Sequence, residues 1–297
     1  MASSLSDSNP YSRQKVVYAC RVQALGASSS SNMAVLGLGR RGTGNLLLQR
    51  FSYSVASNGK ISVSVGGVGG YHADVAQGGR TGTAKLLSDG SYPDLYYVRV
   101  TGIDVGKDRK PVPFQSGALD LRQDGSGGGV FLSTTMPFTL LNQDVYVRLT
   151  ETLKQELASA SPTSSKISSQ LCYSSGTHPP TITLVLDDGA ATMKLSMENC
   201  WYERRADGAL CLGILPTPWA TGESVLGTMT QIGWRMTYDL TAETLTFQSL
   251  SSSTLQQEQQ QPQPRSSTIT IHPNQYSPCV LWARLLLLSS FTVLLLL

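Results

Sequence analysis

Only a few residues of this sequence have types and spacings that could do chemistry. The run from Gly37 to Gly42 matches G-x-G-x-x-G, the turn that binds the phosphates of a dinucleotide. Such a site also needs a helix after the turn and an acidic residue about twenty positions further on. Because 55–65 contains no acid and alternates like a strand, we expect a tight β-turn here and no nucleotide cofactor.

Metal chemistry and serine-nucleophile chemistry lack support in the sequence. The three histidines, His72, His178 and His272, have no spacing typical of metal ligands, and no Cys-x-x-Cys pair occurs. No Gly-x-Ser-x-Gly run is present, so the nucleophile turn of the serine hydrolases is also missing. We therefore predict no metal site and no cofactor.

Composition narrows the class of protein. Charged residues make up 14% of the 297 residues, against about 25% in ordinary soluble domains. So few charges argue against a highly charged disordered chain, a coiled coil and a helical bundle. The net charge of +3, without a dense Lys/Arg run, makes nucleic acid an unexpected partner.

Hydrophobic periodicity predicts an all-β protein with minor helix. β-branched or aromatic residues alternate with polar ones, as in half-buried strands, at Lys60–Val65, Tyr96–Val105, Thr181–Leu186 and Arg235–Phe247. Short Gly, Asn and Asp groups between such runs predict turns. One helix is predicted over Gln143–Leu157, because its apolar residues recur every four positions on one face.

Several ordered motifs resemble the plant pepsin-like aspartic proteases (peptidase A1), of the nepenthesin and xylanase-inhibitor type. The resemblance covers about Val16 to Phe247. It rests on seven motifs in the same order: VLGLGR at 35–40, FSYS at 51–54, YYVRVTGIDVG at 96–106, GGVFLSTT at 128–135, LCY at 171–173, CLG at 211–213, and the stretch from VLG at 225–227 to YDL at 238–240. It implies a pepsin-like acid-protease fold, with the C-terminal lobe present and only a remnant of the N-terminal lobe.

This resemblance implies a division of the chain into five parts. We expect an unstructured start at 1–15, a remnant of the N-terminal lobe at 16–57 and the C-terminal protease-like lobe at 58–250. A Ser/Gln/Pro-rich stalk would follow at 251–279, because that composition buries too little surface to order itself. A hydrophobic tail at 280–297 would end the chain.

In the resembled family two aspartates, one from each lobe, share a proton, so that one acts as base and the other as acid. Hydrophobic-hydrophobic-glycine elements support the two aspartate loops. The resemblance assigns this supporting role here to two short elements, Val35, Leu36 and Gly37 in the first and Val225, Leu226 and Gly227 in the second.

Neither aspartate is expected in this chain. No residue before Val35 lies in an Asp-Thr-Gly or Asp-Ser-Gly run. Alignment through the Gly-Gly-Val at 128–130 puts Ser133 in the place of the second aspartate, followed by Thr134 and Thr135. A serine hydroxyl carries no charge at neutral pH, and the Leu-Ser-Thr-Thr setting resembles the xylanase-inhibitor branch. We therefore expect no intact catalytic residue.

The resemblance also implies one disulfide, between Cys172 of the LCY motif and Cys211 of the CLG motif. A second family disulfide would be absent at both ends, because Ser54 stands at one place and 248–250 near the other. Cys20 and Cys200 have no obvious partner. A disulfide is typical of an extracellular protein.

The C-terminus suggests attachment to a membrane. Val280 to Leu297 is apolar except for Arg284, and small residues beginning at Ser266 precede a polar spacer of the length found in lipid-anchor signals. Ser266 is the predicted attachment residue; a tail anchor and a mistranslated end are the alternatives. The start of the chain shows no apolar signal-peptide run, which conflicts with entry into the secretory pathway.

Three hypotheses for function follow from these expectations. The first is an inactive protease homologue that binds a protein or peptide ligand, such as a secreted glycosidase, at the cell surface or outside the cell. The second is an aspartic endopeptidase represented by an incomplete chain. The third is a non-functional fragment with exposed strand edges.

Overall fold

A computed structural model describes residues 19–20, 34–35, 38–40, 49–56, 61–66, 80–163, 165, 170–250 and 267–271. Several sequence predictions lie outside these described residues: the start at 1–15, Leu36 and Gly37, the attachment residue Ser266, and the tail at 280–297. Within the described part, no helix is long and apolar enough to cross a membrane.

Short strands are the main regular elements of the described chain. They are Ala19–Cys20 (β1), Ala34–Val35 (β2), Arg50–Val55 (β3), Ile61–Gly66 (β4), Thr81–Leu87 (β5), Tyr97–Val98 (β6), Val100–Val105 (β7), Lys110–Pro111 (β8), Val130–Leu132 (β9), Thr139–Leu141 (β10), Pro162–Thr163 (β11), Cys172–Tyr173 (β12), Ile182–Leu186 (β13), Ala191–Leu195 (β14), Trp201–Glu203 (β15), Leu210–Leu212 (β16), Ile214–Pro216 (β17), Ser224–Leu226 (β18), Trp234–Asp239 (β19), Thr244–Ser249 (β20) and Ser267–Ile271 (β21). The helices are Gln143–Glu156 (α1), Met197–Cys200 (α2) and Thr228–Gln231 (α3), with a 3₁₀ turn at Asp187–Gly189.

Eleven of the strands form one sheet, in the order β17-β10-β18-β9-β6-β5-β20-β19-β3-β4-β21. Two four-stranded sheets, β11-β12-β16-β15 and β14-β13-β7-β8, and the β1–β2 pair complete the set. The prediction of an all-β fold with minor helix is confirmed.

Two predicted strands are each divided in the structure. The run Tyr96–Val105 breaks at Arg99, because β6 pairs with β5 and β9 in the large sheet whereas β7 pairs with β13 in another. The run Arg235–Phe247 is a hairpin of β19 and β20. Its turn forms because Asp239 Oδ1 accepts hydrogen bonds from the backbone N–H groups of Thr241 and Ala242, at 3.1 and 2.9 Å.

Helix α1 lies where the sequence predicts it and packs into the core. Asn142 caps its N-terminus, since Asn142 Oδ1 accepts from the Asp144 N–H at 3.0 Å. Val145, Leu149 and Leu153 lie four residues apart and are fully buried. The apolar stripe that predicts the helix is therefore the face that holds it against the sheets.

Strand β3, in the predicted N-terminal remnant, belongs to the same sheet as the C-terminal lobe. It pairs with β4 on one side and with β19 on the other. The buried ring of Phe51 stacks on Tyr238 of β19, with ring centroids 4.7 Å apart and planes at 8°. Strand β3 of the remnant is thus built into the main core.

One correction concerns the predicted stalk at 251–279. Within it, Ser267–Ile271 forms β21 and pairs antiparallel with β4 at the edge of the large sheet. The alternation of Thr and Ile over these five residues favours a strand, although the surrounding composition is typical of a linker. Residues 251–266 and 272–279 lie outside the described part.

The position of β3 predicts that its aromatic residue is essential to stability. Phe51→Ala should lower the free energy of unfolding by about 3–5 kcal/mol, because it removes a buried ring from a packed cluster. Urea denaturation measures this change, and Tyr92→Ala, which removes an aromatic ring that is 54% exposed, is the control. A similar small effect for both variants would contradict the integration of β3 into the core.

Candidate functional site

The candidate site is the loop that begins at Ser133, where two parallel strands of the large sheet end side by side. Strands β9 and β18 pair in register, with Leu132 opposite Leu226. The Ser133 N–H donates to the Leu226 carbonyl at 3.1 Å. The loop at 133–139 and the residues after Gly227 therefore leave the sheet at the same level.

Two glycines allow close backbone contacts around these strands, Gly128 before β9 and Gly227 after β18. Gly128 has a φ of +78°, and a Cβ placed there would lie 2.7 Å from the Asp120 carbonyl oxygen. A Cβ at Gly227 would lie 2.3 Å from the Phe138 carbonyl oxygen. Any other residue at Gly227 would push the two loops apart, which explains the glycine that ends the second hydrophobic-hydrophobic-glycine element.

Ser133 uses its hydroxyl to close its own turn. Its Oγ accepts from the N–H groups of Thr135 and Met136, at 3.2 and 3.1 Å, and lies 3.1 Å from Thr135 Oγ1. Thr134 is held through its carbonyl, which accepts from Thr228 Oγ1 at 2.8 Å. The loop sequence STTMPFT contains no ionisable side chain, so hydroxyl and backbone dipoles are its only polar groups.

Gln231, which the sequence analysis does not single out, joins the two loops from below. Its buried Nε2 lies within hydrogen-bonding distance of the carbonyls of Ser133, Leu226 and Gly227, at 3.0, 3.0 and 3.3 Å. Its Oε1 accepts from the Tyr53 hydroxyl of β3. A glutamine beside the second support gives no periodic or motif signal, so only the tertiary structure shows this role.

The phenols beneath Gln231 are neutral groups. Tyr53 Oη lies 3.2 Å from Tyr238 Oη in the buried aromatic cluster. Burial is the main cause that raises the pKa of both hydroxyls far above the ordinary value. The site is therefore held by uncharged donors and acceptors, from Ser133 down to the core.

A second feature of the site is a small apolar cluster, which we call the aromatic face. Its half-buried members, Phe131, Met136, Phe138 and Trp219, pack against the buried Leu140, Leu215 and Val225. The rings of Phe131 and Trp219 stack with centroids 6.4 Å apart. Because Phe131 is two residues before Ser133 and Met136 and Phe138 are in its loop, the face adjoins the candidate site.

Of the first support, only Val35 lies in the described residues. Val35 lies in β2, which pairs with β1. Leu38 is buried, and its carbonyl accepts from the Tyr96 hydroxyl at 2.6 Å, while the Tyr96 carbonyl accepts from the Leu132 N–H. The end of the VLGLGR motif is therefore connected to the strand that leads into Ser133. Arg40 lies in a turn, and 41–48 is outside the described part.

The cysteines take the arrangement that the resemblance implies. Cys172 of β12 and Cys211 of β16 are opposite in register and form a disulfide. Cys200 is a free, buried thiol, and burial raises its pKa. Ser54, which the resemblance places at one end of the second family disulfide, is buried in β3. No group of three His, Cys, Asp or Glu residues in the described part of the chain could hold a metal ion.

Comparison with known proteins defines the class. The family model described as "Xylanase inhibitor C-terminal" matches residues 95–249, slightly more than half of the chain. The chain belongs to this family, which is the C-terminal part of the plant pepsin-like proteins. The matched region begins just before β6 and ends with β20, so it includes both the Ser133 loop and the disulfide.

Relatives at the sequence level include proteins named as proteases and proteins named as conglutins. The chain is 28% identical over 196 residues to aspartic proteinase nepenthesin-2 of Nepenthes gracilis, covering 64% of this chain and 43% of that protein. It is 27% identical over 127 residues to gamma conglutin 1 of Lupinus angustifolius, covering 40% of this chain and 28% of that protein. The chain thus spans less than half the length of either relative.

Among solved structures, conglutin gamma from lupine seeds matches with a TM-score of 0.59 at 21% identity, over 76% of this chain and 59% of that one. The basic 7S globulin from soybean matches with a TM-score of 0.57 at 21% identity, over 77% and 61%. These likenesses confirm the fold expected from the motifs.

The position of Gln231 yields a prediction on stability. Gln231→Ala should lower the free energy of unfolding by about 2–4 kcal/mol, because it removes a buried donor to three carbonyls and the acceptor of the Tyr53 hydroxyl. Gln248→Ala is the matched control, since Gln248 is also buried but its Nε2 has no hydrogen-bond partner. Equal losses in urea denaturation would show that the amide of Gln231 contributes nothing specific.

The buried phenols predict a dependence on alkaline pH. Because their pKa is raised in the folded state, the unfolded chain loses these protons first, so their contribution to stability is present below about pH 10 and lost above it. Burial also raises the pKa of Tyr146 to about 12. Absorbance at 295 nm should therefore rise less in the native chain than in denaturant, until circular dichroism shows unfolding. Ionisation of all 12 tyrosines in the folded chain would contradict this.

Proposed function

We propose that this chain is a non-catalytic binding protein of the peptidase A1-like class, acting outside the cell. The observation that carries the proposal is the Ser133 hydroxyl, which accepts two backbone N–H groups at the place where the resemblance puts a catalytic aspartate. That hydroxyl is used to maintain the loop. It has no charge with which to activate a water molecule.

Among the described residues, those that contact Ser133 supply no substitute base. A general base must be able to take a proton near the working pH, and the loop has no ionisable group. Gln231 beneath it is an amide, and the phenols of Tyr53 and Tyr238 hold their protons because burial raises their pKa. A neutral network of this kind supports the shape of the protease loop without its acid–base chemistry.

The aromatic face provides a surface suited to binding. Half-buried aromatic side chains on a rigid sheet lose little conformational entropy when a partner covers them, and such residues dominate the energy of protein interfaces. Phe131 and Trp219 are held by stacking and by the sheet beneath them. We propose that this face contacts a protein ligand, with a secreted glycosidase as the first class to test, because the family model is named for xylanase inhibitors.

The disulfide supports an extracellular location, since such bonds persist in oxidising compartments.

Attachment at the cell surface would use either a lipid anchor or a tail anchor, and strand β21 distinguishes between the two. Lipid attachment at Ser266 would remove everything from Ser267 onward, including β21, whereas a tail anchor at 280–297 would retain it. The pairing of β21 with β4 favours the retained form.

A second candidate function, aspartic endopeptidase, is favoured by the 28% identity to nepenthesin-2. Since the chain spans 43% of that protein, another part of a longer chain would have to provide the first aspartate. Ser133 argues against this candidate even then, because the shared-proton mechanism needs two carboxylates.

We expect the full chain to bind a member of a panel of secreted glycosidases, xylanases first, and to show no peptidase activity between about pH 3 and pH 7, where carboxylate pairs work. Trp219→Ala should weaken binding by about tenfold or more. Phe114→Ala is the control, because Phe114 is also partly buried but packs against the main core. Peptide hydrolysis that Ser133→Ala abolishes, or absence of any binding partner in the panel, would overturn the proposal.

A further inference from the structure

The far edge of the large sheet is completed by a strand from the distant end of the chain. Strand β4 pairs with β3 on one side and with β21 on the other. All five residues of β21 are in register with β4, from Ser267 opposite Val65 to Ile271 opposite Ile61. Without β21, the N–H and C=O groups of one side of β4 would have no strand partner.

Four of the five pairs match in residue type, the exception being Ser267 opposite Val65. Thr268 is opposite Ser64 and Thr270 is opposite Ser62, so residues with hydroxyl groups occupy paired positions. Ile269 is opposite Val63, so apolar residues are likewise paired. Pairs of like type on one face of an antiparallel ladder favour one register over its neighbours. The edge of β4 therefore selects an extended segment that alternates hydroxyl and β-branched residues.

The stretch of chain between β20 and β21 is too long to restrict β21 to the β4 edge. Between β20 and β21 the sheet order places β19, β3 and β4, so the two strands are about 19 Å apart at about 4.8 Å per strand. The intervening stretch 250–266 can span up to about 56 Å at about 3.3 Å per residue. This stretch is long enough for β21 to dissociate from β4 and to rebind. The pairing with β4, and not the length of the chain, therefore holds β21 in place.

We propose that the β4 edge is a strand-addition site, filled in cis by Ser267–Ile271 and open to exchange with an extended segment of another protein that has the same alternation. Strand addition takes its affinity from main-chain hydrogen bonds and its selectivity from alternate side chains. The cis segment has an effective concentration in the millimolar range, so it excludes weak competitors and protects the edge from aggregation. This surface is separate from the aromatic face, and its test does not depend on the proposed function.

The experiment uses the full chain with a variant in which β21 no longer pairs with β4. The protein is kept in mild detergent because its C-terminal tail is rich in leucine. The double variant Thr268→Pro/Thr270→Pro fixes φ at two positions of β21 and removes two backbone N–H groups, changes that a paired strand tolerates poorly. The control, Gln259→Pro/Gln261→Pro, places the same two prolines in the Pro-containing stretch before β21. The probe is a fluorescein-labelled peptide SSTITIH, the sequence of residues 266–272, and IITTSSH is the scrambled comparison.

Anisotropy should show the SSTITIH peptide binding the β21 variant at least tenfold more tightly than the parent, with the control matching the parent and the scrambled peptide not binding. Equal binding to variant and parent, or no binding to either, would overturn the proposal.

A measurement on the parent chain tests the proposal even if the β21 variant does not fold. In hydrogen exchange, excess unlabelled SSTITIH should reduce the protection of 267–271 while that of β3 and β4 is maintained. If the peptide leaves the exchange of 267–271 unchanged, the strand is not replaceable and the proposal fails.

Discussion

The contact between two parallel strand ends, β9 and β18, is the constraint on which the site depends. The strands are close enough for the Ser133 N–H to reach the Leu226 carbonyl, and Gly227 lets the Phe138 backbone pass without a Cβ between them. Gln231 then offers one amide to three carbonyls at this junction. An amide suits this place because it satisfies buried acceptors without introducing a charge into the core.

This arrangement explains how the loop after β9 holds its shape without a charged side chain. The shape of the loop at 133–139 comes from the sheet register, from Gly227 and from hydrogen bonds among hydroxyl and backbone groups. None of these contacts needs a charged side chain. The stability of this loop therefore does not depend on an ionisable group within it.

The large sheet also connects the Ser133 loop to β3, near the start of the described chain, and to β21, near its end. Tyr53 of β3 donates to Gln231, so the segment that precedes the C-terminal lobe contributes directly to the support of the Ser133 loop. Strand β4 follows β3 and pairs with β21. A domain boundary drawn between β3 and β4 would consequently divide a single hydrogen-bonded hairpin and expose the aromatic cluster around Phe51.

The amino-acid sequence by itself determined the fold class and helix α1, because hydrophobic periodicity is a local signal. The implied partnership of Cys172 and Cys211 also agrees with the structure, since both stand in short motifs. Only the tertiary structure decided the division of Tyr96–Val105, the role of Gln231, the aromatic face and the pairing of β21. Each of these depends on which distant strands become neighbours, and the energy of such non-local contacts leaves no trace in the spacing of residues along the chain.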